Sequence, residues 1–225
     1  MRVERQQHQA SSPGNIKASG IAVEGALPSH PSHPARATMA QLSQANARAR
    51  TISSVKDEAD LLAALDTSAR VVFLLYGSLL DLEATIDQVK SAGRICFVDV
   101  DLLEGFAGRP VVIEYLAGHT AADGIVSAKT AMVKAARDHG LIGGHRFFLV
   151  ESRAYRRVEQ QTALSGADFI EVLPGCIPRV IRWLREEVKL PIIAGGLIVD
   201  REDVRAALAA GAAAVATTNR GLWEP

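Results

Sequence analysis

Aromatic residues are scarce, at 5% of the 225-residue chain, which rules out a core built chiefly on stacked rings. Cysteine is scarcer: Cys96 and Cys176 stand alone, without CxxC or metal-ligand spacing. A disulfide framework and a thiolate metal centre are thereby excluded, and two small apolar residues in a reducing cytoplasm are the simple reading. No apolar run approaches the roughly 20 residues that span a bilayer. The N-terminus lacks the apolar stretch of a secretory signal. Net charge is absent too, with 25 Lys and Arg against 25 Asp and Glu. What the chain does have is 48% hydrophobic residues, carried mostly by Ala, Val, Leu and Ile. That composition suits parallel strands covered on both faces by helices.

The charge balance hides an asymmetry. Arg2, Arg5, Lys17, Arg36, Arg48 and Arg50 outweigh Glu4 and Glu24 in the first fifty residues, and the remainder is correspondingly acidic. Any nucleic-acid contact of the folded part must therefore come from a local patch. Residues 1–40 read as a disordered leader rich in Ser, Pro, Gly, His and Gln, with the small repeat Pro28-Ser29-His30-Pro31-Ser32-His33-Pro34. Such a segment buries too little apolar surface to offset its ordering entropy. His8, His30 and His33 are read as solvated tail residues, so no metal site is assigned.

Residues 41–225 alternate strand and helix. Strands are expected at 51–55, 71–76, 94–101, 124–127, 146–150, 169–173, 191–196 and 213–219. Helices are expected between them at 57–65, 82–90, 110–116, 130–139, 153–164, 178–188 and 200–210. Short loops and strict alternation argue for parallel βαβ units, and eight of them for a closed TIM-like (β/α)8 barrel with a truncated eighth helix.

In such a barrel the chemistry sits at the C-terminal ends of the strands, and a phosphate sits at the last two loops. Here those loops carry Gly195-Gly196 and Thr217-Thr218-Asn219. Glycines admit a close anion, a following helix N-terminus favours it, and Thr and Asn supply donors. A small phosphorylated ligand is the expectation. Asp99, Asp101 and Glu104 follow strand three, Lys129 strand four, and Glu171 lies in strand six. Asp101, Glu104, Lys129 and Glu171 are expected to share that cavity, the carboxylates facing hydroxyls and the lysine the phosphate. Carboxylates with a lysine could also do acid–base work. Equally, they could only orient loops, so no catalytic residue is assigned.

A second constellation is basic. Arg153, Arg156 and Arg157 fall in helix five, and Arg179, Arg182 and Arg185 recur every third residue in helix six. Arginine suits bidentate phosphate contact, and adjacent helices would merge the sets into one strip. A solvated face balanced by Glu159, Glu186 and Glu187 fits the same spacing.

Taken in order, Val72–Gly77, Asp101–Gly105, Asp123–Lys129, Arg146–Leu149, Phe169–Gly175, Ile193–Ile198, and Thr217-Thr218-Asn219 with Trp223 resemble the glycerol-3-phosphate-responsive antiterminators of bacterial glycerol uptake operons. The resemblance implies a cytoplasmic regulator without a cofactor. Its effector would be glycerol 3-phosphate, and its partner an mRNA leader in which it prevents early termination. It assigns the six arginines to RNA, and it leaves homo-oligomerisation open. Departures are the long leader and Ser78, where the family suggests an acidic residue; Glu151 keeps the charge at a second such position. The alternative class is a barrel isomerase or lyase acting on a small phosphorylated metabolite. Only the enzyme needs a competent acid–base set; only the regulator needs the basic strip.

Overall fold

The structure is a computed structural model that describes residues 37–38, 40–42, 44–45 and 50–224. The leader before residue 37, with His8, His30 and His33, lies outside the described residues.

Eight parallel strands close into a barrel in sequence order. They are β1 (Thr51–Val55), β2 (Val71–Leu74), β3 (Ile95–Asp99), β4 (Gly124–Ser127), β5 (Ile142–Phe148), β6 (Phe169–Leu173), β7 (Ile192–Gly195) and β8 (Ala214–Thr217). Between them run α1 (Glu58–Leu65), α2 (Leu82–Ser91), α3 (Val111–His119), α4 (Thr130–Asp138), α5 (Ser152–Tyr155), α6 (Val158–Ser165), α7 (Pro178–Glu187) and α8 (Arg201–Ala209). After β8 the described chain makes only a 3-10 turn, Arg220–Leu222, where the expected truncated last helix would lie. Trp223 then donates its indole N–H to the Thr217 carbonyl at 2.8 Å and is buried in the outer core. Among the described residues no helix is long and apolar enough to cross a membrane.

Alternation along each strand sorts side chains between two cores. Residues facing the helices, such as Val72, Val98, Ile125, Ile170 and Val215, build the outer layer. Ile52, Phe73, Phe97, Val126, Phe169, Ile193 and Ala214 fill the interior. Three of the six Phe therefore meet inside the barrel, with ring centroids 5.4–6.3 Å apart. They fit because neighbouring strands carry no side chain there. A Cβ on Gly124 would stand 2.5 Å from Phe97 Cε1, and one on Gly144 would stand 2.6 Å from Phe169 Cε2.

Most boundaries shift by up to three residues, and two elements differ more. β5 begins at Ile142, four residues early, because Gly143-Gly144 is strand rather than turn. The expected helix 153–164 is split into α5 and α6 at Arg156-Arg157. That turn re-aims the chain so that Val158 is fully buried while both arginines stay exposed.

The N-terminal end of the barrel is covered. The Thr38 N–H donates to Gln41 Oε1 at 2.7 Å and the Gln41 N–H to Thr38 Oγ1 at 3.3 Å, a reciprocal capping box. It opens a helical stretch from which Leu42 and Ala45 join the interior core. Ala37 N–H donates to the buried Asp123 carboxylate, which also receives Lys90 Nζ and the Cys96 N–H, each at 2.7 Å. The expected boundary at residue 40 thus falls inside a turn that belongs to the barrel.

Candidate ligand cavity and arginine surface

The opposite end of the barrel is open. A cavity of about 500 Å³ lies there, lined from β1, β3, β5 and β6 and from the loops after β7 and β8. At its floor one strand position changes character. Arg146 follows Gly144 inward on β5, one layer above the phenyl cluster. Its guanidinium lies between Asp99 of β3 and Glu171 of β6, with Nη1 donating to Asp99 Oδ2 and Nε to Glu171 Oε2 at 2.6 Å. All three are buried: Arg146 is 9%, Asp99 1% and Glu171 3% exposed.

Burial pushes the Asp99 and Glu171 carboxyls above their usual range, and Arg146 only partly offsets this. Burial also works against the Arg146 charge, but Glu171 and Asp99 outweigh it and hold its pKa up. One cation shared by two carboxylates leaves acceptor lone pairs free at the cavity floor. Such a group suits ligand hydroxyls and repels a nearby anion.

The rim on the β7 and β8 side is uncharged. Gly196 has φ of 71° and Leu197, a non-glycine residue, φ of 55°. Two successive left-handed residues turn the loop sharply over the cavity, and a strained non-glycine at a ligand-facing loop is where function tends to store strain. Gly195 has its own reason: a Cβ there would stand 2.6 Å from Glu171 Oε1. Thr218 is exposed on the rim. Thr217 is buried and already engaged, donating to the Ile198 carbonyl at 3.0 Å and accepting from the Asn219 N–H at 3.1 Å.

Of the residues singled out from sequence, Asp99, Glu171, Gly196, Thr217 and Thr218 line this cavity, with Gly195 packed against Glu171. Asp101, Glu104 and Lys129 do not line it, so the expected four-residue cluster is not assembled. Asp101 instead binds Ser127 Oγ, the Ala128 N–H and Lys129 Nζ, the last at 3.2 Å. Glu104 is exposed and pairs through its backbone with Ser78, away from the cavity. The Asn219 amide ties the last two loops together, donating to the Val199 carbonyl at 2.8 Å while its oxygen accepts from Gly221 N–H. The helix after β7 does not offer its N-terminus either: the Asp200 side chain accepts from the Glu202 and Asp203 N–H groups. Sequence reasoning missed Arg146, taking it for the start of strand five. The signal was available, because a period of two through Gly144 and Phe148 places Arg146 inside.

The six arginines are all exposed, and among the described residues none makes an ion pair within 4.0 Å. Successive arginines on α7 step around the helix by about 60°. Arg179 lies over the Trp183 ring at 4.9 Å. Arg185 has turned toward the loop before β8, its Cγ packed at Gly211 and its Nη1 3.5 Å from the Leu190 carbonyl. On α7, Arg185 thus turns away from the expected strip.

The family model described as glycerol-3-phosphate responsive antiterminator matches residues 51–223. The chain belongs to that family. An Escherichia coli (strain K12) relative, the uncharacterised protein YgcP, is 44% identical over 172 residues, which is 76% of this chain and 90% of that protein. The crystal structure of a glycerol uptake operon antiterminator regulatory protein from Listeria monocytogenes superposes with a TM-score of 0.74 at 28% identity. The match covers 77% of this chain and 94% of that one. An antiterminator-related protein from Thermotoga maritima gives 0.69 at 30% identity, over 77% and 96% of the two chains. Ser78 is engaged locally: its N–H and hydroxyl both bind Asp81 Oδ1, at 2.6 and 2.8 Å, just before α2.

Proposed function

We propose that this member of the family is a cytoplasmic regulator that takes glycerol 3-phosphate as effector and binds an mRNA leader to prevent early termination in genes of glycerol metabolism. The observation that carries the ligand part is the polarity of the cavity. Its floor holds Asp99, Arg146 and Glu171; its rim at Gly196 and Thr218 carries no charge. A phosphate beside the carboxylates is repelled, so the glycerol hydroxyls go to the floor and the phosphate to the rim, with the Thr218 hydroxyl and loop N–H groups as donors. The RNA part is supported by family membership and by the unpaired arginines on α5, α7 and the turn after α5.

One observation favours a second reading, a barrel enzyme acting on a phosphorylated metabolite. Two buried carboxyls with raised pKa are what acid–base catalysis uses. Both, however, are held by Arg146. Calorimetry with glycerol 3-phosphate, followed by RNA binding with and without it, separates the readings. Thr218→Val keeps the side-chain shape and removes the hydroxyl. It is expected to weaken glycerol 3-phosphate about tenfold, the scale of one lost hydrogen bond to a charged group. Gly196→Val would be a poorer test, since at φ of 71° any side chain strains the loop. Unchanged affinity in Thr218→Val puts the phosphate elsewhere, and no RNA binding in either condition favours the enzyme.

A further inference from the structure

Beside the arginines lies a second cavity, a groove of about 410 Å³ between the loop after β5 and α7. Its walls include Tyr155 and Trp183, whose rings meet edge to face with centroids 6.0 Å apart. Trp183 is 42% exposed, whereas Trp223, the other tryptophan, is 1% exposed. Arg156 lines the same groove, and Arg179 caps the Trp183 ring. Glu151 is the carboxylate in the lining. The chain thus exposes one of its two tryptophans to solvent, beside guanidinium groups that make no ion pair among the described residues.

We infer that this groove takes one unstacked base of a single-stranded RNA, held against Trp183 and Tyr155, with Arg156 and Arg179 meeting the flanking phosphates. The inference rests on the RNA-binding part of the proposed function and gives it a location. Specific RNA recognition uses unpaired bases stacked on aromatic rings and guanidinium planes, and arginine supplies the phosphate contacts. Glu151 is placed to accept from an exocyclic amino group. A proline-rich peptide also suits an aromatic groove. The local charge decides against the Pro28–Pro34 segment of this chain, because that segment lies within a net-basic stretch and carries no acidic residue to meet the arginines. The groove also adjoins the ligand cavity: Phe148 lines the cavity, and the next four residues, Leu149–Ser152, line the groove.

The test uses the full chain, saturated with glycerol 3-phosphate, and a pool of random-sequence 20-nucleotide single-stranded RNAs. Tryptophan fluorescence should be quenched on RNA addition, and ultraviolet cross-links should map to Trp183 or Tyr155. Trp183→Leu should weaken binding by roughly ten- to a hundredfold, the usual loss for one stacked base. Trp183→Phe should recover part of it, and duplex RNA should bind less well than the single strands. Because Trp183 is exposed, an unchanged melting temperature in both variants confirms that they fold. RNA binding that is equal in Trp183→Leu, with cross-links elsewhere, overturns the groove and leaves RNA binding standing. Quenching by a peptide of residues 26–36 but not by RNA overturns it in favour of peptide docking. No RNA binding by the parent overturns both readings.

Discussion

At the level of single residues, His145 shows how burial alone sets a charge state. It is fully buried on the helix-facing side of β5, and its Nδ1 lies 3.0 Å from Ser165 Oγ. That hydroxyl gives its own proton to the Thr162 carbonyl, so Nδ1 carries the imidazole proton and Nε2 is the bare acceptor. Nε2 has no partner in its buried site. Protonating it would bury a cation, and that burial lowers the pKa from 6.5 to about 4, although the Ala128 backbone and the Asp101 carboxylate favour the charged form. The folded pKa lies below the unfolded one, so between these values the unfolded chain binds the extra proton. Stability is therefore full above about pH 6.5 and falls as the pH drops toward 4, by up to about 1.4 kcal/mol per pH unit. Asp99 and Glu171, with raised pKa, act in the opposite sense. Comparing urea denaturation of the parent with His145→Gln at each pH isolates the histidine: the difference should shrink by about 3 kcal/mol from pH 7 to 4. A constant difference would mean that His145 has a partner for its charged form.

Arg146 gives a sharper case. Removing it leaves two buried carboxylates without their cation, so Arg146→Ala should cost about 3–5 kcal/mol at neutral pH, measured by chemical denaturation. Much of that loss should return at lower pH, when both carboxyls take protons. A cost below 1 kcal/mol would show that water already solvates them. The contrast with Lys129 shows what single positions revealed in advance. Charged residues at strand ends were visible in the sequence. Which of them point inward depends on the register of each strand, and β5 was expected to start only after its glycines.

Those glycines also set the lesson for elements. Gly143-Gly144 reads as a turn by propensity, yet it lies within β5: a Cβ on Gly144 would meet the Phe169 ring, and one on Gly143 would stand 3.0 Å from Val133 Cγ1. Three-dimensional crowding is not written in local sequence, whereas the βα alternation is, which is why strands and helices were legible and the start of β5 was not. The same holds at the N-terminal end. Thr38 and Gln41 form a capping box that sequence inspection passed over within a polar stretch, and Leu42 and Ala45 seal the barrel behind it. Truncating residues 1–36 should leave the melting temperature within about a degree. Truncating 1–46 removes the buried Leu42 side chain, worth about 1.5–3 kcal/mol, and should lower it by several degrees, as scanning calorimetry can check. Equal melting temperatures in the two truncations would show that the segment adds nothing to the barrel's stability.

For the whole molecule the decisive quantity is where charge lies. The chain is neutral overall, but past residue 50 it is acidic, so nonspecific attraction to RNA must come from a few exposed arginines. Arg153 and Arg182 are exposed, lie outside the ligand cavity, and line neither its floor nor the aromatic groove. Arg185 is less available, with its stem packed at Gly211. Each phosphate contact on single-stranded RNA contributes about 0.7 log units of affinity per decade of salt. Replacing Arg153 and Arg182 together with Gln should therefore weaken RNA binding and flatten the salt slope by about 1.4, measured between 50 and 200 mM salt, at unchanged glycerol 3-phosphate affinity. Arg185→Gln should change the slope by less. If the double variant keeps both affinity and slope, the phosphate contacts belong to other cations, and the basic residues of the first fifty become the next to replace. If it loses glycerol 3-phosphate as well, the arginine surface and the cavity are not separable, and the division of labour between barrel mouth and helical flank fails.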